Sequence, residues 1–134
     1  KHLRTMRDTW KEVMAKTADL DFDMYSGCDD NILPFMAAGG KGVISVTSNI
    51  YPTQVEKLTQ MILKGDLKNA RKLAYALDPV SRNLFIDVNP IMPKAALAKM
   101  GVCGEQVRLP LIPTTQDNKK KLFDAMDAFE KLGY

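Results

Sequence analysis

The sequence predicts an α/β fold in which helices alternate with parallel strands, followed by an all-helical segment. Three observations support this prediction. A short segment that carries Phe22, Met24 and Tyr25 occurs at residues 21–26 and a short apolar run at residues 42–46. Segments with helical periodicity flank them, and after residue 46 only helical patterns and one proline-rich extended stretch remain. We therefore expect residues 1–64 to form βα repeats of the barrel type and residues 65–134 to form an appended helical domain.

The stretch from Gly39 to Asn49 carries the clearest strand signal. Residues 43–46 are mostly β-branched and have too few polar side chains for one face to meet water, which favours a parallel strand buried on both faces. Polar residues 47–49 follow at the carboxyl end of that strand, where parallel α/β proteins place their chemistry. Because the glycines precede the strand, they indicate a turn from helix to strand. A phosphate-binding loop would instead follow a strand and open a helix.

The limits of the elements follow from apolar periodicity, capping residues and glycines. Up to residue 46 we expect a helix over about 3–17, a strand over 21–26, a helix started by Asp29 and Asp30 and stopped by Gly39 and Gly40, and a strand over about 42–46. Beyond it we expect a helix capped by Thr53 with Glu56, a long helix capped by Asp66 that Asp78-Pro79 kinks or splits, a helix from Lys94 to Met100, and a last helix opened by Thr114 with Asp117.

Composition and charge argue against several kinds of site. The 134 residues are 46% hydrophobic and 26% charged, with a formal charge of +3 and apolar runs far shorter than the roughly 20 residues that cross a bilayer. The single histidine, His2, nearly excludes a histidine-based metal site or a Ser-His catalytic pair. Cys28 and Cys103 fit no metal pattern, so we expect free thiols and a cytosolic location. No aromatic residues are interleaved with the basic ones, so we do not expect nucleic acid as a partner. Because the apolar runs are short, we do not expect a membrane as a partner either.

Four short segments form a pattern when they are taken in order and with their spacing. They are Ser26-Gly27-Cys28-Asp29-Asp30, the stretch from Gly39 to Asn49, Leu84-Phe85 followed by Asn89-Pro90-Ile91, and Arg108-Leu109-Pro110-Leu111. Together they resemble the dihydrodipicolinate synthase family of the pyruvate-dependent class I aldolases, which include N-acetylneuraminate lyase and keto-deoxy-sugar-acid aldolases. Two residues depart from the pattern: Cys28 stands where an acid is usual, and Met92 where a proline is usual.

The resemblance implies a (β/α)8 TIM barrel with an appended all-α C-terminal domain. This chain would supply helix 6, strands 7 and 8 with their helices, and the helical domain. The family's Schiff-base lysine, catalytic tyrosine and paired threonines lie upstream of Lys1, so no catalytic residue is expected here. Lys41 precedes its strand and lies at the wrong end of the barrel for that role. We expect the chain to be a piece of a longer protein, with the rest of the barrel or other copies of the chain covering its strand edges.

The resemblance also points to three substrate-binding positions. The carbonyl of Ile44 would face bound pyruvate, Gly27 would leave room for the ligand at the end of the preceding strand, and Asn89 is the third candidate. Each has a plain structural interpretation as well: Ile44 as core, Gly27 as a strand-ending turn, and Asn89 as a turn before proline. We expect Ile44 to be buried under either interpretation.

The function implied is that of a synthase. A lysine forms a Schiff base with pyruvate, and the enamine adds to aspartate semialdehyde on the route to diaminopimelate and lysine. No metal or organic cofactor is expected, because the protonated imine accepts the electrons. The family implies a homotetramer or homodimer. Two alternatives stay open: a sialic-acid lyase or sugar-acid aldolase that uses the same imine, and a non-catalytic helical module for oligomer contacts.

Overall fold

The computed structural model of the chain describes residues 2–134, with side chains from residue 9 onward, so Lys1 and the His2 side chain lie outside the described residues. Eight elements follow one another: α1 (His2–Lys16), β1 (Tyr25–Ser26), α2 (Ile32–Ala37), β2 (Gly42–Val43), α3 (Pro52–Leu63), α4 (Leu67–Asn83), α5 (Ile91–Lys99) and α6 (Gln116–Glu130). Short 3-10 helices at Asp29–Asn31 and Thr47–Asn49 follow the two strands. The predicted order, two strands among helices and then helices alone, is confirmed for this part of the chain.

The two strands pair in parallel, as predicted, with Tyr25 opposite Gly42 and Ser26 opposite Val43. They are much shorter than the predicted strands at residues 21–26 and 42–46. The second strand ends early because Val46 has turned into a helical conformation (φ −79°, ψ −40°) at the start of the 3-10 helix. Two hydrogen bonds that the turn's backbone N–H groups donate to a side chain elsewhere in the chain hold that turn, as described below.

The expectation that the second strand is buried on both faces is wrong. Helix α2 packs against both strands, but no described element covers the opposite face. Tyr25 is therefore 55% exposed and Ile44 is 74% exposed. The correction matters most for Ile44, which was expected to be buried. Its side chain projects from an open face, because a two-stranded sheet covered on one side leaves its other side to the solvent.

The core lies among the helices. Helix α4 is central and contacts α2, α3 and α6. The fully buried side chains come from residues on both sides of position 64: Leu58, Leu73, Val80, Leu84, Met92, Leu122 and Met126. They belong to one continuous apolar cluster that extends from Ile32 to Phe129. The turn between α3 and α4 contains Gly65, whose φ of +78° favours glycine. The division into domains 1–64 and 65–134 at this turn stays a prediction.

Several helix limits differ from the predicted ones for identifiable reasons. Asp66 caps α4 as predicted, since its carboxylate accepts a hydrogen bond from the backbone N–H of Asn69. Pro79 does not split α4, because it lies four residues before the helix end and removes only one intrahelical hydrogen bond. Helix α5 begins at Ile91 rather than Lys94, because a proline is tolerated in the first turn.

The predicted capping box of Thr53 with Glu56 is wrong. Helix α3 starts two residues earlier than that box implies, with Tyr51 at the cap position and Pro52 at the first helical position, which proline favours. At α6 the cap is Thr115 rather than Thr114, and its hydroxyl accepts a hydrogen bond from a backbone N–H three residues on. The cap shifts by two residues at α3 and by one at α6, so the helices themselves are those expected.

Candidate functional site

The carboxyl ends of the two strands lie side by side, which brings two of the three candidate residues together. The backbone N–H of Ile44 donates to the carbonyl oxygen of Ser26 at 2.7 Å. Gly27, which follows Ser26, therefore lies next to Ile44 at the same end of the sheet. Asn89 is exposed in the loop between α4 and α5. The described hydrogen bonds that join the strand ends do not extend to it, so its link to this region stays a prediction.

The space beside Gly27 is open. A Cβ atom added at Gly27 would find no heavy atom of the described residues within 4 Å, and the backbone there is outside the left-handed region. Glycine is thus not required by backbone strain at this position. A cavity of about 330 Å³ adjoins it, lined by residues that include Gly27, Cys28 and Phe85. The role of Gly27 in leaving room for a ligand stays a prediction.

Asp29 has a different role from the predicted one of starting a helix. Its carboxylate is buried, and Oδ2 accepts hydrogen bonds from the backbone N–H groups of Val46 at 2.9 Å and Thr47 at 3.0 Å. Asp29 lies in the first turn of its 3-10 helix, whose cap position is held by Cys28 without a side-chain hydrogen bond. Oδ1 is buried without a hydrogen-bond partner among the described residues. Sequence reasoning missed this contact because its partners lie 17 and 18 positions away.

A buried pair of hydroxyl groups links the end of β2 to the helical part of the chain. Thr47 Oγ1 and Ser81 Oγ are 2.9 Å apart, and the two residues are only 1% and 6% exposed. Together with Asp29 they form a continuous polar path from the end of β1, through the turn after β2, to helix α4. A second cavity of about 240 Å³ is lined in part by these same three residues. Nothing in the sequence around Ser81 signals this contact.

Tyr51 connects the start of α3 to the end of α6. Its phenol O–H donates to Glu130 Oε1 at 3.0 Å, and its ring packs against Phe129 with ring centroids 4.9 Å apart. Burial, followed by the hydrogen bond to Glu130 and the charge of that carboxylate, raises the pKa of Tyr51 well above its ordinary value of 10.0. This contact therefore joins the start of α3 to the end of α6.

The described residues contain no gathering of three or more His, Cys, Asp or Glu side chains that could hold a metal ion. Cys28 and Cys103 are both exposed free thiols. In the part of the chain that the structure describes, no helix is both long and apolar enough to span a bilayer.

Comparisons with known proteins agree on one family. The model of the dihydrodipicolinate synthetase family matches residues 3–129. The 4-hydroxy-tetrahydrodipicolinate synthase of Trichlorobacter lovleyi is 45% identical over 119 residues, which cover 89% of this chain and 41% of the relative. That of Thermodesulfovibrio yellowstonii is 48% identical over 101 residues, covering 75% of this chain and 35% of the relative. The chain thus spans about two fifths of the length of these relatives.

Solved structures lead to the same family. A dihydrodipicolinate synthase from Thermotoga maritima superposes with a TM-score of 0.82 at 37% identity, covering 86% of this chain and 39% of that one. A chloride-inhibited dihydrodipicolinate synthase from Acinetobacter baumannii, solved with pyruvate, gives a TM-score of 0.84 at 29% identity, covering 90% and 41%. These neighbours imply an α/β fold of the TIM-barrel type. On the match over residues 3–129 and these similarities, the chain belongs to the dihydrodipicolinate synthetase family.

Proposed function

We propose that this chain forms part of a 4-hydroxy-tetrahydrodipicolinate synthase, which condenses pyruvate, held as a lysine Schiff base, with aspartate semialdehyde. The observation that carries the proposal is the 45% identity to the Trichlorobacter lovleyi synthase over 89% of this chain. Both relatives described above carry the synthase name, which favours that reaction over sialic-acid or sugar-acid cleavage and over a non-catalytic helical module. The pyruvate complex of the Acinetobacter baumannii neighbour supports pyruvate as one substrate.

Within the complete enzyme, β1 and β2 would be strands 7 and 8 of the barrel and α1 would be helix 6. The open face that exposes Tyr25 and Ile44 would then meet other strands of the barrel or other copies of the chain. Gly27 and the carbonyl of Ile44 would form one wall of the pyruvate site at the carboxyl ends of the strands. Asn89 would approach this wall from the loop after α4.

Gly27 and the Ile44 carbonyl would contact the substrate without reacting with it. A backbone carbonyl can accept a hydrogen bond from a substrate group, and a glycine provides space, but neither attacks a carbonyl carbon. The nucleophile is therefore assigned to another strand of the barrel. Lys41 stands directly before β2, at the end of the strand opposite to Ile44. We propose that the 134-residue chain alone is inactive for this reason.

Borohydride trapping tests this function. The N-terminal part of the Trichlorobacter lovleyi synthase is joined to this chain at the point where their similarity begins. The fusion, the chain alone and the N-terminal part alone are each treated with pyruvate and borohydride and then weighed by mass spectrometry. We expect the fusion to form a stoichiometric adduct and to condense pyruvate with aspartate semialdehyde. An adduct on a lysine of the chain alone, or a folded fusion that lacks condensation activity, would contradict the proposal.

A further inference from the structure

Asp29 has a buried carboxylate whose described hydrogen bonds all reach one of its two oxygens. It is only 8% exposed, and both of its described hydrogen bonds reach the same oxygen, Oδ2, from the backbone N–H groups of Val46 and Thr47. Burying a carboxylate is costly unless hydrogen bonds compensate it. Bonds from N–H groups to a charged oxygen are stronger than those to a neutral one. The contact is therefore a strong one, made to a turn rather than to a neighbouring side chain.

The position of that turn matters because it follows Ile44 directly. The N–H of Ile44 is held by the carbonyl of Ser26, before Gly27. The N–H groups two and three residues after Ile44 are held by Asp29, which comes two residues after Gly27. The peptide that contains the Ile44 carbonyl thus lies between two anchor points, and both belong to the short segment from the end of β1 at Ser26 to Asp29.

We propose that Asp29 is a positioning residue that sets the direction of the Ile44 carbonyl and its separation from Gly27. The inference rests on the proposed function for its catalytic meaning, since the carbonyl would face pyruvate there. The contact from Thr47 to Ser81 extends the same support to helix α4. Asp29 itself takes no part in bond making; it acts through the backbone of the turn.

Amide hydrogen exchange on the 134-residue chain tests the structural half of the proposal. Asp29→Ala removes both acceptor oxygens, so we expect the amides of Val46 and Thr47 to exchange at least about tenfold faster while the amides of α4 keep their rates. Asp29→Asn keeps a carbonyl oxygen that can accept the two bonds, so we expect a smaller change. Asp23→Ala, which removes an exposed carboxylate before β1, is the matched control and should leave both rates unchanged.

Unchanged exchange at Val46 and Thr47 in Asp29→Ala would overturn the proposal. If that variant does not fold, Asp29→Leu decides by the same criterion, because its branched side chain has nearly the same shape and offers neither acceptor oxygen. Unchanged exchange at Val46 and Thr47 in a folded Asp29→Leu variant would overturn the proposal.

Kinetics in the fusion enzyme test the catalytic half. A displaced Ile44 carbonyl weakens the binding of pyruvate, so we expect Asp29→Ala to raise KM for pyruvate about tenfold, equivalent to about 1.4 kcal/mol. We expect kcat and KM for aspartate semialdehyde to change by less than about twofold. Asp29→Asn should restore part of the loss. A purely structural role would lower Tm and leave KM for pyruvate unchanged, and that result would overturn the positioning role.

The two halves fail separately. An inactive unsubstituted fusion would overturn the proposed function and the pyruvate half of the inference, while the exchange rates still decide whether Asp29 holds the turn. An active fusion in which Asp29→Ala loses amide protection but keeps KM for pyruvate would leave the proposed function intact and refute the positioning of the carbonyl.

Discussion

The buried hydroxyl pair of Thr47 and Ser81 gives the sharpest test of how the strand ends are attached to the helices. Thr47→Val keeps the shape of a β-branched side chain, so little cavity forms and the main loss is the partner of Ser81. A buried hydroxyl without its partner costs about 1–3 kcal/mol. Ser81 lies inside α4, where a serine hydroxyl can bond to the carbonyl four residues earlier. We therefore expect the lower end, a loss of about 1 kcal/mol in the free energy of unfolding.

Urea denaturation of the 134-residue chain, followed by circular dichroism, measures this loss. Thr53→Val, at an exposed position in the first turn of α3, is the matched control and should stay within about 0.5 kcal/mol. The double variant Thr47→Val/Ser81→Ala replaces both hydroxyls by apolar groups, so it should be less destabilised than the sum of the two single variants. Strict additivity, or a Thr47→Val midpoint equal to that of the unsubstituted chain, would refute the coupling.

The remaining predictions concern the far side of the core and the open face. Tyr51→Phe should cost about 1 kcal/mol, because the exposed Glu130 is rehydrated when the phenol is lost. Because the pKa of Tyr51 is raised in the folded chain, the unfolded chain loses this proton at a lower pH. The stabilisation by the Tyr51 phenol is therefore complete below about pH 10 and declines above it. Equal slopes of the unfolding free energy against pH above about pH 10, with and without Tyr51→Phe, would contradict this. Leu73→Ala, at 1% exposure, should cost about 2–5 kcal/mol. Ile44→Ala should stay within about 0.5 kcal/mol, and equal urea midpoints for these two alanine variants would mean that the open face is covered.

Features set by neighbours in the chain could be predicted from the sequence. The helices and their order follow from apolar periodicity, and the cap at Asp66 follows from a side chain that accepts a hydrogen bond from the backbone three residues ahead. Gly65 and Gly101, with φ of +78° and +75°, lie just after α3 and α5, where a helix end favours glycine. The family could also be predicted, because its motifs are short segments that can be identified from their residues, their order and their spacing in the sequence.

Other features depend on contacts that no local pattern encodes. The lengths of the strands, the exposure of Ile44 and the role of Asp29 all follow from which elements meet in space. The bonds of Asp29 span 17 and 18 positions, and the Thr47–Ser81 pair spans 34. An apolar run signals that burial would be favourable, but whether a covering surface exists is decided by tertiary packing. Asp29 likewise has a sequence context that suits a helix start, but its carboxylate accepts hydrogen bonds from two backbone N–H groups that the fold brings next to it.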